Sequence, residues 1–172
     1  MKISKTKFKG LFIIQSKKFD DSRGYFRELY LEKSIKKKLK FIVASKSKKN
    51  VVRGLHLQLK RPQGKYVSVI KGQIFDVAVD CRIESNTFGK HFSIFLDDQD
   101  CKSIYIPRGF AHGFMGIKKE NIVVYGCDNY RDIESETGIM WNDPFLNINW
   151  PLKKPIVSNK DKKNKSFHFY FD

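Results

Sequence analysis

Val67-Ser68-Val69-Ile70-Lys71-Gly72-Gln73-Ile74-Phe75-Asp76-Val77-Ala78-Val79 contains two runs of β-branched and aromatic residues parted at Lys71-Gly72. That combination reads as two antiparallel strands joined by a tight turn. Working outward, strand-like runs recur from Val51 to about Tyr130, with turn signals at Gly54, Gly64, Gly72, Asn86, Asp97-Asp98, Pro107 and Gly116. This is the spacing of an all-β barrel or sandwich, not of alternating βαβ units. No internal repeat is evident. Upstream, Asp21-Ser22-Arg23-Gly24 reads as a turn leading into a strand, and Ser34 is placed to cap a short helix running through Leu39. Downstream, the segment from Ile139 to Pro151 is extended and punctuated by prolines, and Lys160 to Asn164 is polar. The aromatic run Phe167 to Phe171 has no place in this pattern.

With 172 residues and 41% hydrophobic content, the chain is expected to form one domain, residues 1–172, that buries its own core. Its formal charge of +16, from 34 Lys and Arg against 18 Asp and Glu, favours anionic partners: nucleic acid, membrane headgroups or a phosphorylated small molecule. The lysines occur in short scattered runs (36–38, 48–49, 153–154, 162–163) without the interleaved aromatics of a nucleic-acid platform. They read as a solvated surface, and no nucleic-acid partner is expected. Cys81, Cys101 and Cys127 are odd in number and widely spaced, which suggests neither a disulfide framework nor a zinc ribbon and fits a reducing compartment. The apolar stretch Leu11 to Ile14 is too short for a signal h-region or a membrane span, so a cytoplasmic protein with no membrane partner is expected.

Arg53-Gly54-Leu55-His56-Leu57-Gln58 alternates so that one face of a strand would carry polar groups, with Lys65 nearby in sequence. His56 in a barrel interior can be poised by a carboxylate to accept a proton, or it can be a buried structural histidine satisfied by a carbonyl. The second reading leaves Arg53 and Lys65 as costly buried cations, a difficulty that an anionic ligand removes. His112 stands in Pro107-x-Gly109-x-x-His112, the form of the second cupin motif, where a histidine normally binds metal. A metal-binding cupin also needs H-x-H plus an acid from the earlier strand, and this chain has His56-Leu57-Gln58. An imidazole pair without a carboxylate is a poor metal site, so no metal is expected. Tyr125 and Tyr130 lie in or just beyond a strand-like run, where a phenol either serves a ligand or lines the barrel. Asp76, Asp80 and Asp143, inside or beside apolar runs, can orient histidines or make structural hydrogen bonds.

Taken together, the ordered pieces Phe19–Glu28, Ser45–Gln58, Gln63-Gly64-Lys65, Phe75–Asp80, Ser85–Gly89, Pro107–Phe114, Trp141–Pro144 and Trp150-Pro151 resemble the dTDP-4-dehydrorhamnose 3,5-epimerase family, metal-independent members of the cupin superfamily. The resemblance implies an all-β, cupin-type barrel or jelly roll with a few short helices, and a swapped N-terminal strand in a homodimer. It implies a cofactor-free epimerase that inverts C3 and C5 of dTDP-4-dehydro-6-deoxy-D-glucose through an enolate. By the same resemblance His56 is the base, Asp161 its dyad partner, Tyr125 the acid on the opposite face, and Lys65 the cation beside the C4 oxygen. Arg23 and Glu28 match nucleotide contacts supplied by a partner's arm, while Arg53, His112, Tyr130, Glu136 and Lys160 match further substrate contacts. One departure stands out: where the family usually has Gln-x-Asn, this chain has Phe41-Ile42-Val43. Relatives acting on one centre, on another base or on a heptose are alternatives within the enzymes. A non-catalytic sugar-binding or nucleic-acid-binding cupin is the alternative outside them.

Overall fold

The structure, a computed structural model, describes residues 1–171. In chain order the strands are β1 (Lys2–Lys5), β2 (Phe12–Gln15), β3 (Lys18–Asp21), β4 (Gly24–Arg27), β5 (Phe41–Lys48), β6 (Val51–Gln58) and β7 (Lys65–Lys71). There follow β8 (Gln73–Asp80), β9 (His91–Asp97), β10 (Lys102–Ile106), β11 (Phe110–Gly116), β12 (Glu120–Cys127), β13 (Glu136–Gly138) and β14 (Ile156–Val157). The only helical pieces among the described residues are α1 (Glu32–Ile35), α2 (His168–Phe171) and a 3-10 turn at Asp161–Lys163.

Two sheets face each other. The first runs β1-β2-β10-β7-β12-β5; the second runs β13-β6-β11-β8-β9, with β14 laid parallel beside β6. Period-2 alternation sends Val67, Val69, Ile104 and Val123 of the first sheet inward to meet Ile74, Ala78, Leu96 and Phe114 of the second. The turn expected at Lys71-Gly72 is present between β7 and β8, with Gly72 at a φ of +83° that suits a residue without a side chain, but the two strands do not pair as the expected hairpin. They part into different sheets, so Lys71-Gly72 is a corner of the barrel.

Strand β8 is buried almost throughout, because its outward residues Phe75, Val77 and Val79 pack under Leu146, Trp150 and Phe167. The aromatic run at 167–171 thereby finds its role: it helps close the outer face of the second sheet. On the first sheet's outer face, Ile14, Tyr66 and Tyr105 lie under Ile35, Tyr30 and Leu39. The expected helix through Leu39 is shorter and earlier, Glu32–Ile35, and Ser34 sits inside it instead of capping it. Lys36 ends it at φ +56°, and the chain then turns so that Leu39 packs over Gly126. Burial of Leu39 overrides local helix preference in this lysine-rich stretch. The β3–β4 hairpin is the turn expected at Asp21–Gly24. Arg27 at its base bonds Ser16, Ser68 and Ser103 hydroxyls and two carbonyls.

Candidate active site

The polar groups gather where the open edges of the two sheets meet. On the second sheet, β6 and β11 pair so that His56 lies directly opposite His112. Gly54 and Gly113 let these strands approach: a Cβ on Gly54 would fall 2.5 Å from the Gly113 Cα. His56 Nε2 lies 2.7 Å from Asp161 Oδ1. A carboxylate only accepts, so Nε2–H donates and Nδ1 keeps its lone pair for the cavity. Asp161, 5% exposed, comes from the 3-10 turn, which is set by a hydrogen bond from its own N–H to Ser158 Oγ (3.0 Å). Its other oxygen accepts from the Gly54 N–H at 3.3 Å. Burial pushes the Asp161 pKa up, but the imidazole's hydrogen bond and charge, with Gly54 and Ser158, outweigh it and hold the carboxyl below its usual range.

The opposite wall comes from the first sheet. Register alignment of β5, β12 and β7 makes two inward rows, Phe41–Cys127–Lys65 and Val43–Tyr125–Val67. Burial lowers the Lys65 pKa, and the nearby carboxylates of Glu136 and Asp76 oppose that. Burial raises the Tyr125 phenol, which therefore stays protonated at neutral pH.

Between the walls is a cavity of about 450 Å³, lined by His56, His112 and Asp161 on one side and by Lys65 and Tyr125 on the other, with Arg53 and Lys160 at its edges. A recess of about 330 Å³ adjoins it, sharing His56, Lys65, Tyr125 and Lys160 and adding Phe41, Val43, Arg131 and Glu136. Glu136 accepts from Arg131 (Nε, 2.6 Å) and from Lys160 (2.6 Å). Those two cations hold its carboxyl down at about 2.

Eight of the expected site residues thus come together: His56, Lys65, Tyr125, Asp161, Arg53, His112, Glu136 and Lys160. Tyr130 does not join them; it is 65% exposed and lines neither space. Its neighbour Arg131 turns inward instead, drawn to Glu136, and sequence reasoning overlooked it. In a turn-rich segment without regular alternation, only the acid five residues on hinted at which neighbour would face the site. Arg23 lies at the hairpin tip paired to Asp21 at 2.6 Å, Glu28 is exposed, and neither lines the cavity of its own chain. Of the three acids left open by sequence, Asp76 meets a histidine, His112, at 2.8 Å. Asp80 instead binds Arg82, Ser85 and Thr87, and Asp143 caps the backbone at 145, 146 and 167. Gln58, at the second position of the former H-x-H, serves the backbone of Arg61 and Asp132. No three His, Cys, Asp or Glu side chains among the described residues are grouped to hold a metal ion.

A double-sheet barrel with an imidazole–carboxylate pair facing a phenol and an ammonium defines a cupin-type protein built for acid–base chemistry. The chain belongs to the dTDP-4-dehydrorhamnose 3,5-epimerase family, whose sequence profile it matches over residues 5–168. It is 41% identical over 169 residues to the dTDP-4-dehydrorhamnose 3,5-epimerase of Methanothermobacter thermautotrophicus, covering 94% of this chain and 91% of that one. Its fold superposes with a TM-score of 0.91 on the same-named enzyme of Elizabethkingia anophelis, at 39% identity, covering 100% of this chain and 99% of that one. The corresponding figures for the Legionella pneumophila enzyme, solved in complex with dTDP-4-keto-L-rhamnose, are 0.92, 38%, 97% and 93%.

Proposed function

We propose that this protein converts dTDP-4-dehydro-6-deoxy-D-glucose to dTDP-4-dehydro-L-rhamnose by inverting C3 and C5. The observation that carries this reading is that His56 and Tyr125 reach one cavity from opposite walls. A base on one face and an acid on the other is what inversion at a carbon requires. His56 Nδ1 takes a proton from the carbon next to the C4 carbonyl, and the C–H electron pair becomes the enolate, with its charge on O4. Lys65 lies where a fixed cation stabilises that oxyanion, an interaction that counts most in a water-poor site. Tyr125 then gives its proton to the same carbon from the other side. Asp161 fixes the His56 tautomer and stabilises the imidazolium. The imidazole, 33% exposed, returns its proton to water, and the phenolate regains one.

Arg53, His112, Glu136 and Lys160 serve as substrate contacts in this reading, with the cations drawing the diphosphate. Arg23 and Glu28 reach a neighbouring cavity when the β3–β4 arm is exchanged in a homodimer. In support, that arm leaves Phe19, Tyr25 and Phe26 more than half exposed. Native mass spectrometry finding only monomers in the active preparation would refute the exchanged arm. We also place the protein in the cytoplasm, as a single domain; among the described residues no helix is long and apolar enough to cross a membrane. A second reading, a related nucleotide sugar with a less polar edge, is favoured by Phe41 and Val43 lining the recess. The test is incubation with dTDP-4-dehydro-6-deoxyglucose in deuterated water. Deuterium at C3 and C5 with inverted product is expected; no incorporation at either carbon overturns the function.

A further inference from the structure

The cavity and the recess share the groups of the reaction: His56, Lys65 and Tyr125 line both, as does Lys160 at the rim. The reacting sugar ring therefore sits at their junction, with its diphosphate drawn to the lysine. Farther into the recess the surface changes character, and Phe41, Val43, Leu57, Cys127 and Arg131 line it. Phe41 and Val43 are half-buried and stand where the family usually carries two amides. We propose that this recess receives the nucleobase and holds it by its faces, on the Phe41 ring and the Arg131 guanidinium. The protein then accepts pyrimidine nucleoside diphosphate sugars with little regard to the base's hydrogen-bonding edge.

The inference rests on the epimerase reading, and two observations carry it further. The first is that Arg131 presents a fixed plane. Its Nε and Nη2 donate to the two oxygens of Glu136 at 2.6 and 3.1 Å, and Glu136 is itself anchored by Lys160 at 2.6 Å. A guanidinium held along one edge keeps both faces free, and its weak hydration suits it to stacking on a π-system. Phe41 offers a second such face from β5, through the inward row it shares with Cys127 and Lys65.

The second is that the polar groups of the recess are already engaged within the chain. Gln58 donates to the Arg61 carbonyl at 2.8 Å and accepts from the Asp132 N–H at 3.0 Å, so both ends of its amide are used. Gln63 donates to the Asn129 carbonyl at 2.9 Å, and Glu136 is taken by its two cations. Stacking tolerates any base because every base has a π-face, whereas site amides left without their partners are what reject a wrong edge. Phe41 and Val43 in place of two amides remove that penalty. Glu28, on the exchanged arm of the proposed dimer, only accepts hydrogen bonds, and both the uracil N3–H and the cytosine amine can donate to it.

The test is calorimetric titration of the wild-type protein with dUDP and with dCDP. Their bases share one outline but exchange a carbonyl for an amine at C4, so a pocket that reads the edge separates them by about fivefold or more. The expected result is a ratio of dissociation constants below about fivefold. Phe41→Leu should weaken both nucleotides by the same factor, about tenfold or more, and Phe41→Tyr should bind both as the wild type does. Leucine fills the space without a π-face, so this loss separates stacking from simple burial. The wild-type comparison carries the test if Phe41→Leu does not fold. A preference of about fivefold or more, or a folded Phe41→Leu that binds both nucleotides as tightly as the wild type, overturns the inference alone. So does failure to bind either nucleotide in a protein that exchanges the C3 and C5 protons of the dTDP sugar. A wild-type protein that exchanges neither proton overturns the epimerase reading and the inference that rests on it.

Discussion

The two inner walls of the barrel are built from strands of similar length but carry opposite chemistry. The β6–β11–β8 wall holds the imidazoles of His56 and His112, each backed by a buried acid, and His56 is the proton-accepting group of the proposed reaction. The β5–β12–β7 wall holds groups that give or balance charge, Tyr125 and Lys65, set among Phe41, Val43, Cys127 and Val67. The neighbours explain the difference: a carboxylate behind a ring fixes its tautomer, whereas apolar neighbours keep a phenol protonated and strip water from an ammonium.

The contrast is broken most severely at the accepting wall. His56→Ala should lower formation of the doubly inverted product by about 10⁴-fold, the upper end for loss of an acid–base group. Product assays under single-turnover conditions read this, and a loss below tenfold would assign the removal to another residue. On the donating wall, Tyr125→Phe keeps the base and the ring, so solvent deuterium should still enter the substrate while inverted product falls by about 10³-fold. If both centres invert at the wild-type rate, the acid is misassigned.

Lys65→Met sharpens the comparison by separating activity from stability. Loss of the fixed cation should reduce kcat by about 10²-fold, while removal of a desolvated ammonium should raise the melting temperature. A variant that is both inactive and less stable would mean that Lys65 holds the wall together. The smallest effect lies at the rim, with Glu136→Gln. A carboxyl held at about 2, below its ordinary 4.5, adds stability that is complete above that ordinary value and is lost as the pH falls towards 2. Its partners Arg131 and Lys160 are 59% and 64% exposed, so screening limits the contribution to about 1 kcal/mol. Denaturant titrations should show the variant weaker at pH 7, with the gap closing as the pH falls from about 4.5 to about 2; a gap independent of pH would place the effect in packing.

The accepting wall was the more legible in sequence. The glycine-flanked His56 and the spacing that ends at His112 are local signals, and the β7–β8 turn is marked by Lys71-Gly72 itself. Asp161 is 105 residues from His56, on a turn with no periodicity of its own, and only the family resemblance pointed to it. Arg131 was missed for a related reason, since side-chain direction in an irregular segment depends on a long-range partner, here Glu136. Burial of the second sheet on both faces was likewise hidden: it depends on residues 139–171 folding back over β6 and β8, and the aromatic run gave no sign of its target.

The contact between Gly54 and Gly113 bears on how this scaffold can change over time. The spacing of the two histidines is set by main chain touching main chain, a gauge that substitutions elsewhere in the cavity leave alone. Phe41, Val43 and Arg131 surround the recess at a distance from that gauge, so exchanges there alter what is admitted without moving the histidines. A side chain added at either glycine would spread β6 from β11 and detune both pairs together. Drift in substrate preference can therefore proceed by single steps, whereas drift in proton chemistry requires the backbone itself to be rebuilt.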